Sequence, residues 1–126
     1  MWSWGKNNYG QLGDGTTEDK MSPIQMKTGI KFKEISAGST HNIAIDIDGN
    51  VWTWGDNRCG QLGDGTNVSK NIPIKIETKV KLKQALAKGN FNIAMDYNGT
   101  IWSWGANYNG QLGDGTTTDR LVPTEM

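Results

Sequence analysis

Few residues in this sequence could do bond-making chemistry. His41 is the one histidine and Cys59 the one cysteine. A thiol beside an imidazole can act as an activated nucleophile. Nothing in the sequence links these two, however, and Cys59 aligns with Tyr9 and Asn109 at a variable position. They read as a structural imidazole and an incidental thiol. The runs Asp46-x-Asp48-Gly49-Asn50 and Asp14-Gly15-Thr16 resemble pieces of a calcium loop. Such a loop needs several spaced oxygen ligands and a closing bidentate acid. No acid follows at that distance, so both read as turns. The six tryptophans could stack on sugars or bases, but their regular placement reads as core. Lys31, Lys33, Lys81 and Lys83 could form a basic stripe. Because the net charge is zero, a solvated outer face is the better reading. No zinc spacing, phosphate-binding loop or nucleophile elbow is present. The expectation is a non-enzymatic protein with no cofactor and no metal.

The elements that position these residues repeat. Gly-Gln-Leu-Gly-Asp-Gly-Thr occurs unchanged at 10–16, 60–66 and 110–116. Each copy follows a Trp-x-Trp-Gly block: Trp2 to Gly5, Trp52 to Gly55, Trp102 to Gly105. Residues 1–50 match 51–100 at nearly half of their positions, and 101–126 match the front of either copy. The chain is one array of units 1–50 and 51–100 with a half unit 101–126. A fixed period in this range marks propellers, solenoids or arrays.

Within a unit, Trp2 and Trp4 lie two apart, so in a strand both rings share a face. The glycine-rich segment after them signals turns and bulges, with Leu12 as its apolar anchor. Pro23, Pro73 and Pro123 suggest the start of a short edge strand. Thr28-Gly29 reads as a hairpin turn. Ile30 to Lys33 and Val80 to Lys83 alternate like half-buried strands. Ile43-Ala44-Ile45 and Ile93-Ala94-Met95 read as buried strands. Asp48-Gly49 and Asn98-Gly99 are strong hairpin turns. Each unit thus carries about four short strands, and four antiparallel strands make one propeller blade. The fold class is all-β, with about two and a half blades in the chain.

The order Ala-Gly-x-x-His, short apolar strand, Asp-Gly, Trp-x-Trp-Gly-x-Asn, Gly-Gln-Leu-Gly-x-Gly resembles the repeat of the regulator of chromosome condensation family. That resemblance covers the whole chain. It implies one four-stranded blade per repeat, in a propeller of usually seven blades, and a structural role for His41. The second unit departs from the pattern: Lys88 and Phe91 stand for Gly38 and His41, with a glycine displaced to Gly89. An altered strand entry is expected there.

Blades bury their apolar faces against neighbours, and three or more are usually needed. Seven blades of this period would need about 350 residues. The chain is therefore expected to join the remaining blades of a longer propeller or copies of itself. Both ends carry the same half unit, so a head-to-tail ring would hold one surplus front half per chain. A protein partner is also expected. Thirteen Lys plus Arg balance thirteen Asp plus Glu, which disfavours a nucleic-acid partner. No apolar run is long enough to span a membrane. No signal peptide is visible, and a single cysteine fits a cytoplasmic location.

Binding function is carried by variable loop positions on a rigid scaffold. Inside the fixed loop these are Lys6, Asn8 and Tyr9, then Asp56, Arg58 and Cys59, then Ala106, Tyr108 and Asn109. They are the candidate contact residues. The favoured function is an interaction or self-assembly module. A carbohydrate-binding propeller is an alternative. So is part of an exchange-factor-like or enzyme-inhibitor propeller, activities found in the family that it resembles.

Overall fold

The computed structural model describes residues 1–126, and every regular element is a strand. In chain order these are β1 (Trp2–Gly5), β2 (Lys20–Gln25), β3 (Phe32–Ala37), β4 (His41–Asp46), β5 (Val51–Gly55), β6 (Lys70–Ile76), β7 (Leu82–Lys88), β8 (Phe91–Asp96), β9 (Ile101–Gly105) and β10 (Arg120–Glu125). They form three antiparallel sheets: β1-β2, β3-β4-β5-β6 and β7-β8-β9-β10. The architecture is a partial propeller of two complete blades preceded by half a blade.

The blades are out of phase with the repeat. Residues 50 and 100 fall inside the β4–β5 and β8–β9 hairpins, in the middle of a sheet. Asp46 explains why that hairpin is so firm. Its carboxylate accepts hydrogen bonds from the amides of Asp48 and Asn50, the Asn50 side chain and the Trp52 indole, at 2.9–3.0 Å. Gly49 takes the left-handed conformation that the turn requires, at φ 83°. Thr28-Gly29 does not make the expected hairpin: Gly29 is left-handed at φ 68° and Thr28 Oγ1 accepts the Ile30 amide at 3.1 Å, but no regular turn forms there. The pair lies on the connection from β2 to β3, which belong to different sheets. The strands read at Ile30 and Val80 begin two residues later, at Phe32 and Leu82.

The prolines lie within β2, β6 and β10, the outer edge of each sheet. They are not at the strand starts. Thr53 pairs with Ile74 and Gly55 with Lys70, so Pro73 falls in a bulge on the longer strand. A bulge at an edge tolerates a residue with no N–H to donate. The altered entry expected in the second unit is present: β7 and β8 pair one residue further, Lys88 with Phe91.

The core lies between sheets. Ile43, Ile45, Val51 and Ile76 of one blade bury against Leu82, Ala94, Trp102 and Trp104 of the next. A smaller cluster of Met26, Ala44 and Trp54 joins the half blade to its neighbour.

Candidate interaction surface

Each Trp-x-Trp strand runs into a loop that a single asparagine holds together. Asn57 is fully buried. Its Nδ2 donates to Asp64 Oδ1 and to the carbonyls of Thr66 and Val68, at 2.9–3.1 Å. Its Oδ1 accepts the Leu62 amide at 2.9 Å. Asn7 and Asn107 make the same set of contacts. Leu12, Leu62 and Leu112 are all buried, as an anchor should be. The loop is therefore rigid without regular secondary structure, because one side chain satisfies backbone groups from three of its turns.

The loop also joins blades. The Trp54 indole N–H donates to the Gln11 carbonyl at 2.9 Å, and Asn42 Nδ2 donates to the same oxygen at 2.6 Å. The Gly15 amide donates to the Asn71 carbonyl, and the Gly65 amide to that of Leu121, both at 2.9 Å. An added Cβ at Gly63 would stand 2.7 Å from Trp104 Nε1, so only glycine fits beneath that indole.

On this frame the variable positions separate into two groups. Lys6, Asn8, Arg58, Tyr108 and Asn109 are exposed, and Tyr9 and Cys59 are half-buried. Asp56 and Ala106 are buried, with their amides bonded to the Thr40 and Asn90 carbonyls of their own blades. The first junction brings three of them together. Arg58 meets the Asp56 carboxylate through Nε and Nη2, at 2.8–3.2 Å. Its guanidinium lies 4.3 Å from the centre of the Tyr9 ring, a cation–π distance. Thr40 Oγ1 donates to Asp56 at 3.2 Å. Burial pushes the Asp56 carboxyl up, but the bonds from Arg58 and Thr40 outweigh it and hold the group below its ordinary value. Tyr108 and Asn109 lie apart from this cluster, on the third loop.

Cys59 sits next to these groups. Burial, Asp119 and Asp56 push its thiol up, against the pull of Arg58. A thiol held protonated is a poor nucleophile. His41 lies fully buried, with Nε2 2.9 Å from Asn92 Oδ1 of the next blade. Since that oxygen can only accept, Nε2 carries the proton. Burial keeps the imidazole below its usual value, with Asn92 and Asp56 acting in the opposite sense. His41 therefore serves the packing between blades. Lys31, Lys33, Lys81 and Lys83 are all exposed.

An open cleft of about 400 Å³ lies beside the half blade, lined by Trp2, Trp4, Lys6, Gln11, Asn42 and Trp54 among others. It occupies the place where β1 lacks the two inner strands that β5 and β9 possess. The sequence did not single out Asn7, Asn57 and Asn107. Their signal was present, because each stands in the Gly-x-Asn that follows every tryptophan block.

Comparison with known proteins agrees with this geometry. The pattern described as the regulator of chromosome condensation (RCC1) repeat matches residues 1–45, 48–94 and 98–126, and a second pattern of the same description matches 32–61. The chain is similar to the ultraviolet-B receptor UVR8 of Arabidopsis thaliana, at 47% identity over 51 residues, which is 39% of this chain and 12% of that protein. It is 39% identical over 54 residues to the probable E3 ubiquitin-protein ligase HERC4 of Homo sapiens, covering 40% of this chain and 5% of that one. Among solved structures, human WBSCR16 superposes with a TM-score of 0.87 at 24% identity, over 99% of this chain and 34% of that one. Prp20p of Saccharomyces cerevisiae superposes with a TM-score of 0.83 at 25% identity, over 98% and 33%. The chain thus spans about a third of these solved structures and a small fraction of the curated relatives that it matches.

Proposed function

The chain belongs to the regulator of chromosome condensation (RCC1) repeat family, and from that premise we propose that it is a non-enzymatic interaction module. Its blades form a rigid frame, and the exposed variable positions of the loops meet a protein partner. One observation carries this reading: three loops held by the same asparagine side-chain contacts present different side chains to solvent, Asn8, Arg58 and Tyr108. Rigid loops bind without a large ordering cost. Tyr and Arg are also the residue types enriched where binding energy concentrates. Prp20p is described as binding Gsp1p and histones, so a small GTPase and histones are the first partner classes to try. The carbohydrate reading has less behind it. Between blades, where a sugar would stack, Trp54 and Trp104 are already covered by the preceding loop.

The test is titration calorimetry of the chain against a small GTPase and against core histones, repeated with the variant Asn8→Ala, Arg58→Ala, Tyr108→Ala. A loss of tenfold or more in the variant, with a control at Lys31 and Lys33 unchanged, supports the rim loops. Equal binding by both variants would remove the loops from the partner surface.

A further inference from the structure

The chain holds two Asn-Gly pairs, Asn98-Gly99 and Asn109-Gly110. Such a pair carries its own chemistry. The glycine amide nitrogen can attack the asparagine side-chain carbonyl carbon, because no Cβ on the glycine crowds the approach. By sequence the two pairs are equal. By surroundings they are not.

Asn98 and Gly99 form the tip of the hairpin that joins β8 to β9, and both are exposed. The backbone amide of Asn98 donates to Asp96 Oδ1 at 2.8 Å, which leaves its side-chain amide free. The Gly99 amide reaches the Asp96 carbonyl at 3.2 Å, the longest backbone bond among the turns and loops. This exposure does not depend on where the row of sheets stops. The sheet β3–β6 has a neighbour on each side, and Asp48, at the matching position of its hairpin, is exposed as well. Asn109 is held differently. The Gly110 amide donates to the Asn107 carbonyl at 2.8 Å, and the Asn109 amide to Gln111 Oε1 at 2.8 Å. The buried Asn107 side chain then ties the same loop to Asp114, Thr116, Thr118 and Leu112.

We propose that Asn98 is a site of spontaneous conversion to aspartate and isoaspartate, and that the loop protects Asn109 from the same reaction. Hydroxide takes the proton of the Gly99 amide. That nitrogen bonds to Asn98 Cγ, the Cγ–Nδ2 bond breaks, and Nδ2 leaves as ammonia with a proton from water. The product is a five-membered succinimide, which one water molecule then opens. Attack at Cγ restores the normal backbone with aspartate at position 98. Attack at the backbone carbonyl carbon leaves the chain running through Cγ, as isoaspartate. Overall one ammonia is lost and one water gained.

The fold treats the two products differently. Aspartate is what the first full blade already carries at Asp48, so that product keeps the turn. Isoaspartate lengthens the backbone by one carbon. The Asp96 carboxylate holds the Thr100 amide at 3.0 Å and the Trp102 indole at 3.1 Å, and the Asp96 amide holds the Thr100 carbonyl at 3.0 Å. A longer tip draws Thr100 out of this set, in the middle of a four-stranded sheet. One blade thus carries a slow, irreversible change that its twin, with Asp48, escapes.

The native chain would be kept at pH 8.5 and 37 °C and sampled over weeks. Chymotryptic mass mapping reads ammonia loss at each pair, and an isoaspartyl methyltransferase with labelled S-adenosylmethionine reads isoaspartate. Conversion at Asn98 should run about tenfold or more faster than at Asn109, the ratio set by one or two additional loop bonds. In denaturant the two rates should converge, which assigns the difference to the fold. Asn98→Gln keeps the amide but needs a six-membered ring, and should take no label at that hairpin. Its site is exposed and has no left-handed φ, so the variant folds. Equal or faster conversion at Asn109 in the native chain would overturn the proposal. So would an unaltered native Asn98 after the denatured chain has converted fully.

Discussion

Replacing the same glycine in two copies of the same loop isolates the contribution of blade packing. Gly63 and Gly113 have φ of 75° and 74°, so alanine suffers the same left-handed strain at either, about 1–2 kcal/mol. Their surroundings differ. A Cβ on Gly63 would stand 2.7 Å from Trp104 Nε1, 3.0 Å from its Cδ1 and 3.3 Å from Ile76 Cδ1. Trp104 is fully buried and cannot retreat. A Cβ on Gly113 would meet only Met126 Cε, at 2.8 Å, on an exposed side chain that can swing aside. Overpacking a filled core costs about 1–3 kcal/mol more. Gly63→Ala should therefore lose about 2–5 kcal/mol and Gly113→Ala about 1–2 kcal/mol. The assay is urea unfolding followed by tryptophan fluorescence, at low micromolar concentration so that any association is absent. Equal losses would refute the claim that the loop's glycines are set by the neighbouring indole, and would leave backbone conformation as their sole reason.

Two further outcomes follow from the buried polar groups. Asn57→Ala should cost about 2–4 kcal/mol, because the Leu62 amide and the Val68 carbonyl lose their partner inside the loop; the same unfolding assay measures it, with wild-type strand content as the control. The second outcome concerns pH. His41 is held below its ordinary 6.5, so the unfolded chain takes up a proton that the native chain refuses. Stability should be full above about pH 7 and fall as pH drops through 6.5 toward the lower native value. His41→Phe, the residue type at the matching position Phe91, should flatten that slope in a pH series of unfolding midpoints. A separate decline belongs to the aspartates. Burial raises the Asp46 carboxyl, but bonds from Trp52, Asn50 and Asp48 outweigh it and bring it to about 2. Its stabilising effect is present above pH 4 and lost below.

Strand type, strand number and the hairpins at Asp48-Gly49 and Asn98-Gly99 were legible because each is a local property. Alternation, β-branched content and turn residues act over a few positions. The phase of the blades was not legible from the period, since a repeat can be cut anywhere without changing its sequence. Only strand pairing fixes the cut, and the residues that cross between sheets, near Gly29 and Lys79, resemble any other turn. The loop scaffold was half legible. Leu12 announced itself as the one large apolar residue among glycines, whereas Asn7 passed for an ordinary loop asparagine. Its importance comes from contacts up to eleven residues away. Among the variable positions, Asp56 and Ala106 turn inward. Their amides bond to the Thr40 and Asn90 carbonyls, sixteen residues back in the chain, and a local reading of the loop does not show which variable positions face inward.

The prolines of β2, β6 and β10 have a consequence for lateral strand pairing. Each occupies the outermost strand of its sheet, at a bulge where that strand runs four residues against two on its partner. A missing N–H and a local kink spoil the flat, regular ladder that an incoming strand would need. The outer edge of each sheet therefore offers an interrupted ladder, a poor template for lateral pairing with foreign β-structure.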